Sequence, residues 1–283
     1  MGKSVNKKLI RLIGLISICM LLLVGYKESY IVEIVELGGV VSIAHRGASG
    51  YAPENTRASF QKGLELGADF LEFDVHLSKD GELVIIHDDK VNRTTNGNGF
   101  VKDFTLAELK KLDAGGKFHK KFSEERIITL NELFEDFYGK IGLLIEIKKP
   151  GNYPGIEEKV AVLLEEYNDL SSVVVQSFNI ESMRKMKSLL PELQVAVLMT
   201  RSSVQPSSKR IEDLTSFATF VNFNVSYINK RVVDEIHRHG GKVLVWSAKD
   251  VRSVNKAVQY GVDGIITDFS KWPVEEFVFL AKE

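Results

Sequence analysis

From Val40 onward, short apolar runs rich in β-branched residues alternate with amphipathic stretches. The pattern predicts strands at Val40–Ala44, Phe70–Val75, Gly142–Ile147, Val173–Gln176, Gln194–Leu198, Phe220–Phe223, Val243–Trp246 and Gly264–Thr267, with a further apolar run at Leu83–His87. It predicts helices at Thr56–Leu66, Leu130–Tyr138, Ile156–Glu166, Ile180–Leu190, Lys230–His239, Val251–Tyr260 and Val274–Ala281. The first is capped near Asn55 or Thr56, and Gly240-Gly241 stops the fifth. Repeated β-then-α argues a parallel sheet with helices outside, and the number of units suits a closed (β/α)8 TIM-type barrel. An open doubly wound sheet is the alternative, but no glycine-rich dinucleotide fingerprint supports it.

Two segments depart from the rhythm. Asp88 to Arg126 is too long for an ordinary loop and holds its own helical stretch, Thr105–Leu112. It reads as an insertion, about residues 88–126, after the strand ending at His87 and folded over the barrel mouth. At the amino terminus, Lys3, Lys7, Lys8 and Arg11 precede an apolar run from Leu12 to Tyr26. That run approaches the about 20 residues a membrane span needs, and Leu9 and Ile10 lengthen it if Arg11 snorkels. No small-x-small cleavage site follows Tyr26, so residues 1–26 read as a cytoplasmic tip and signal anchor, and 27–39 as a linker. Residues 40–283 then form a barrel outside the cytoplasm on a single-pass membrane protein. Secretion after cleavage is the competing expectation.

Composition adds limits. Of the 283 residues, 44% are hydrophobic and 27% charged, so a core can form without staples. The net charge of -1 supplies no basic field for nucleic acid. The single cysteine, Cys19, permits no internal disulfide and leaves soft metals short of ligands.

In a β/α barrel, chemistry gathers where strands end. Glu72 and Asp74 sit two apart on one strand and so share a face; Glu146 and Lys148 repeat the spacing on another. Buried carboxylates repel unless paired or metal-bound, and hard oxygen donors suit Mg²⁺ or Ca²⁺. The bland alternative is salt bridging, Glu146 to Lys148 and Glu72 to Arg46. His45 and His87 end two apolar runs, where an imidazole can take or give a proton near neutral pH. Arg46 and Lys148 are placed to neutralise phosphate oxygens. His76, His119, His237 and His239 have weaker contexts and take structural readings; His76 shares the parity of Glu72 and Asp74 but falls just past the expected strand end.

The chain resembles the glycerophosphodiester phosphodiesterase family. The runs that carry the resemblance are Ala44-His45-Arg46-Gly47, Ala52-Pro53-Glu54-Asn55-Thr56, Glu72-Phe73-Asp74-Val75 and Val84-Ile85-Ile86-His87-Asp88. They continue with Arg93-Thr94-Thr95-Asn96-Gly97-Asn98-Gly99, Leu112-Asp113-Ala114-Gly115, Glu146-Ile147-Lys148, Gln176-Ser177-Phe178 and Val245-Trp246. Each is weak alone; their order and spacing from about Val40 to about Glu276 are specific. The resemblance implies a barrel with a small insertion and metal-dependent hydrolysis of glycerophosphodiesters to glycerol 3-phosphate and an alcohol. It implies a divalent cation on Glu72, Asp74 and Glu146, acid/base work by His45 and His87, and phosphate contacts from Arg46 and Lys148. Gln176, Phe178 and Trp246 would shape the glycerol and phosphate pocket. Asp268 matches a commonly polar position of the family without a role. Ser247-Ala248-Lys249 departs from the Thr-Val-Asn common after the tryptophan, which alters the pocket rim. Calcium is favoured over magnesium, because an extracytoplasmic site meets more of it free. The competing functions are a related phosphodiesterase acting on lysophospholipid or a polyglycerolphosphate polymer, and a non-catalytic phospholigand-binding barrel.

Overall fold

A computed structural model describes residues 39–203 and 205–269. The expected N-terminal anchor, most of the expected linker and the expected helix at Val274–Ala281 lie outside the described residues. Among the described residues, no helix is long and apolar enough to cross a membrane.

Eight parallel strands close into a barrel: β1 (Val41–Ala44), β2 (Phe70–Leu77), β4 (Gly142–Ile147), β5 (Val173–Ser177), β6 (Gln194–Leu198), β7 (Phe220–Asn224), β8 (Leu244–Ala248) and β9 (Gly264–Thr267). Closure comes from β1, which pairs with β2 on one side and β9 on the other. The helices are α1 (Arg57–Glu65), α3 (Leu130–Phe137), α4 (Ile156–Glu165), α5 (Ile180–Leu189), α6 (Ser208–Thr215), α7 (Lys230–Arg238) and α8 (Val251–Gln259), with the short α2 (Leu106–Leu109) in the excursion that follows β2. The cap expected near Asn55 or Thr56 falls on Thr56, and Ser59 completes a capping box with it. Helix α6 was not legible, because in Ser208–Thr215 only Ile211 and Leu214 are buried and the rest of the stretch is polar.

Side-chain parity builds the interior. Ile43, Leu144, Val174, Ala196, Leu244 and Ile266 pack inside the barrel over Val41, Phe70 and Phe220. Odd neighbours such as Leu71, Phe73, Leu143, Ile145, Val175 and Val221 are buried on the other face. Gly142 sits beside Phe70 in the β2–β4 register, and a Cβ there would meet the Phe70 ring at 2.5 Å. Gly142→Ala is therefore expected to destabilise the barrel by about 1–3 kcal/mol. A lowered urea midpoint at unchanged slope would show it, and an unchanged midpoint would refute it.

The run at Leu83–His87 differs from its expected place. Its strand, β3, is Leu83–Ile85 and pairs antiparallel with Val75–Leu77, outside the ring. Strand β2 runs two residues further than predicted, to Leu77, and so carries His76 within it. The excursion between β2 and α3 builds a small core of its own from Val84, Ile86, Val91, Val101, Leu109, Ala114 and Ile127. A lysine–aspartate pair, Lys149 to Asp89, ties it to the loop after β4.

Candidate active site

Above the apolar layers, the inward positions turn polar. Glu72 and Asp74 from β2 and Glu146 from β4 are all buried, and each offers an oxygen within 4.8 Å of the others. Register explains this, since Asp74 is the direct neighbour of Glu146 across the β2–β4 pair. Two cations face these three carboxylates. Lys148 Nζ lies 2.6 Å from Glu146 Oε1 and 3.4 Å from Asp74 Oδ1. The Arg46 guanidinium lies 3.6 Å from Asp74 Oδ2, but its hydrogen bond goes to Glu54 Oε1 at 2.8 Å. The expected Glu72–Arg46 contact is made by the backbone: the Arg46 N–H donates to Glu72 Oε2 at 2.9 Å.

The balance of charge follows. Burial, with the charges of Asp74 and Glu146 adding to it, holds the Glu72 carboxyl well above its usual range. Burial pushes Glu146 up to about 7 against the pull of Lys148. Asp74 stays ionised, because Lys148, His87, Arg46 and the Asn55 amide at 2.9 Å outweigh its burial. Its Oδ1 is buried and accepts no hydrogen bond. Three buried oxygen donors within reach of one another fit a hard divalent cation held by Glu72, Asp74 and Glu146.

Both expected histidines reach this place, and each is held by a carboxylate at Nδ1. His45 Nδ1 lies 2.6 Å from Asp268 Oδ1, which also accepts from Ser49 Oγ at 3.1 Å. His87 Nδ1 lies 2.7 Å from Asp88 Oδ1. Burial opposes ionisation of both aspartates, but the hydrogen bonds they accept win, leaving Asp268 low and Asp88 at about 2. Since an ionised carboxylate only accepts, the proton of each neutral ring sits on Nδ1 and the lone pair on Nε2. Burial lowers the His87 pKa against the pull of Asp74 and Asp88.

A cavity of about 110 Å³ is lined by His45, Arg46, Glu72, His87, Glu146, Lys148, Gln176, Phe178, Trp246 and Ser247, among others. Phe178 meets Trp246 edge to face at 5.7 Å, and the Trp246 indole N–H is buried with no partner. Every residue expected at the site except Asp74 lines the cavity, and Asp74 lies behind it in the carboxylate cluster. The backbone is bent to achieve this: Arg46, Asn55 and Lys149 have φ of 56°, 57° and 41°. Gly47 follows Arg46 at φ +75°, and a Cβ there would meet Ser59 Oγ at 2.5 Å.

The sequence profile of the glycerophosphoryl diester phosphodiesterase family matches residues 45–271. The chain belongs to that family. It is 46% identical over 231 residues to a glycerophosphodiester phosphodiesterase of Caldanaerobacter subterraneus, covering 80% of this chain and 93% of that protein. It is 34% identical over 245 residues to one of Bacillus subtilis, covering 81% and 84%. Among solved structures, it is similar to an Oleispira antarctica phosphodiesterase determined in complex with the product sn-glycerol-3-phosphate. The TM-score is 0.75 at 32% identity, covering 81% of this chain and 93% of that one. The activity of that family is hydrolysis of glycerophosphodiesters.

Several site residues of this phosphodiesterase were not assigned from sequence. Asn55 holds Asp74, and its signal was its place in the Ala-Pro-Glu-Asn-Thr run. Asn222 donates to Gln176 Oε1 at 3.1 Å; as an amide at an inward position of β7 it was findable by parity. Asp88 stood in one of the runs that carry the resemblance and Asp268 at a commonly polar position of the family, each without a role. His76 is buried in β2, with Nδ1 at 2.9 Å from the Tyr153 hydroxyl and Nε2 at 3.1 Å from the His87 carbonyl, a structural part consistent with its reading. His119, His237 and His239 bond the Lys121 N–H, Asp263 and Glu235 respectively.

Proposed function

We propose that His45 and His87 are the acid/base pair of this hydrolase and that the diester phosphate binds between them, over Glu72, Asp74 and Glu146. The observation that carries this is the pair of Nδ1-anchored imidazoles lining one small cavity with a carboxylate cluster. One Nε2 takes the proton of the glycerol 2-hydroxyl as its oxygen bonds to phosphorus. The other histidine gives a proton to the alkoxide released as the phosphorus–oxygen bond to the alcohol breaks. Water then adds to the cyclic phosphate, the bond to O2 breaks, and glycerol 3-phosphate leaves. Arg46 and Lys148 neutralise the non-bridging oxygens, and the Trp246 N–H offers a donor to a substrate oxygen. A divalent cation on the three carboxylates would supply charge stabilisation for the phosphoryl oxygens. The product complex of the Oleispira relative supports the glycerol 3-phosphate side of this reading. Calcium is our choice of ion, in keeping with an oxygen-only donor set on the outer side of a membrane.

The test is release of glycerol 3-phosphate from glycerophosphocholine by the full chain with Ca²⁺, with Mg²⁺ and with excess chelator. Release that needs a cation and is best with calcium is expected; release untouched by chelator would overturn the cation's role. We further propose that the apolar run before Tyr26 tethers the enzyme, a reading supported by its basic flank. The mass of the mature protein tests this, since loss of the first residues would refute a retained anchor.

A further inference from the structure

Arg93 lies on the excursion rather than on the barrel, in the Arg-Thr-Thr-Asn-Gly-Asn-Gly run, and the mechanism above does not use it. Its guanidinium bridges two carboxylates. Nη1 and Nη2 donate to the two oxygens of Glu54 at 2.6 and 2.7 Å. Nε donates to Asp88 Oδ2 at 2.7 Å, and Nη2 also reaches Asp88 Oδ1 at 3.2 Å. Glu54 is the acid that holds the Arg46 guanidinium, and Asp88 the acid that holds His87 Nδ1. A continuous polar chain, Arg46–Glu54–Arg93–Asp88–His87, therefore runs across the barrel mouth. A planar fork with donors on two edges holds each carboxylate by paired hydrogen bonds in fixed directions, a geometry that an ammonium does not impose.

The presentation of Arg93 is fixed as well. Thr95 Oγ1 donates to the Val91 carbonyl at 2.7 Å and accepts from the Gly97 N–H at 3.0 Å. The Asn92 side chain accepts from the Gly99 N–H at 3.1 Å. The Arg93 side chain is nearly half exposed, at 46%, so its ion pairs add little to global stability. Their consequence is geometric: two groups that must meet one phosphate come from separate parts of the chain, and Arg93 is the tie between them.

We propose that Arg93 is a positioning residue that docks the excursion onto the barrel and sets Arg46 and His87 relative to each other. The inference rests on the assignment of Arg46 and His87 given above. It makes the excursion part of the catalytic device, so that turnover depends on a side chain that touches no substrate.

The test uses the full chain with saturating cation and glycerophosphocholine. Arg93→Ala is expected to lower kcat/KM on the order of 10- to 100-fold, with melting temperature and cation affinity unchanged. Arg93→Lys should recover part of the loss, since it can hold one carboxylate. In a His87→Ala background, Arg93→Ala should cost far less than it does alone. Wild-type turnover in Arg93→Ala, or losses that multiply in full in the double variant, would overturn the proposal. A second readout is independent of activity: ¹⁵N NMR of the His87 imidazole should show the Nδ1–H tautomer in the wild type and a mixture in Arg93→Ala. If the wild type cleaves no glycerophosphodiester, the reading of the reaction has failed, and the NMR result alone decides whether Arg93 sets His87. An unchanged tautomer population would then refute it.

Discussion

His45→Ala and His87→Ala are each expected to lower kcat for glycerophosphocholine by about 10²–10⁴-fold, the range that one positioned acid or base contributes. Neither ring is part of the hydrophobic core, and their side chains are 18% and 30% exposed, so the loss should come without a matching fall in melting temperature. The two variants should differ when the leaving group changes. A p-nitrophenyl ester needs no proton on departure, so the variant lacking the acid recovers most of its rate on it, while the variant lacking the base does not. This assigns the two roles that the symmetry of the two Nδ1 anchors leaves equal. Near-normal kcat for either alanine variant on glycerophosphocholine would remove that histidine from the reaction. Asp268→Asn and Asp88→Asn give a milder version, since an amide can offer Nδ1 a donor where the carboxylate offered only acceptors.

Removing the cation is expected to abolish turnover, and the cation's effect on stability should depend on pH in a direction fixed by the carboxylates. Burial and mutual repulsion raise the Glu72 carboxyl and bring Glu146 to about 7 in the cation-free fold, above their values in an unfolded chain. The folded state therefore binds more protons than the unfolded one between the ordinary carboxylate range and about pH 7. Its stability is fullest at low pH within this window and falls as pH rises through the folded values. A cation competes with those protons and binds the ionised carboxylates, so it should raise the melting temperature more at pH 8 than at pH 6. Differential scanning calorimetry with and without Ca²⁺ at the two pH values checks the sign. Glu146→Gln should remove most of the difference, and an equal shift at both pH values would show that these carboxyls do not hold the ion.

Much of the barrel was legible because a parallel sheet buried on both faces writes itself as uninterrupted apolar runs. Val173-Val174-Val175 and Gly264-Ile265-Ile266 are strands on composition alone. The carboxylate cluster was legible for a different reason: period-two spacing fixed the face of Glu72 with Asp74, and the pairing of β2 with β4 sets Glu146 beside Asp74. What escaped was whatever depends on pairing partners. Leu83–Ile85 looks like any barrel strand, and only its antiparallel bonding to β2 places it outside the ring. Strand β8 extends past Trp246 to Ala248 through an irregular register with β9, which no periodicity could announce. The contacts of Asp268 and Arg93 are invisible along the chain, since their partners lie 223 and 39 residues away.

The pairing of β1 with β9 also sets a timetable. Ile43 and Ala44 meet Ile266 and Thr267, and the His45 N–H bonds the Thr267 carbonyl at 2.9 Å. The ring therefore cannot shut until nearly all of the chain has left the ribosome, however early the first strands are made. Such a closure between distant segments is the slow, late kind of folding event. Asp268 arrives in that same last step, so His45 receives its carboxylate at the end. Unfinished chains thus carry the three clustered carboxylates and both imidazoles before His45 has its partner, and that pairing coincides with closure of the barrel.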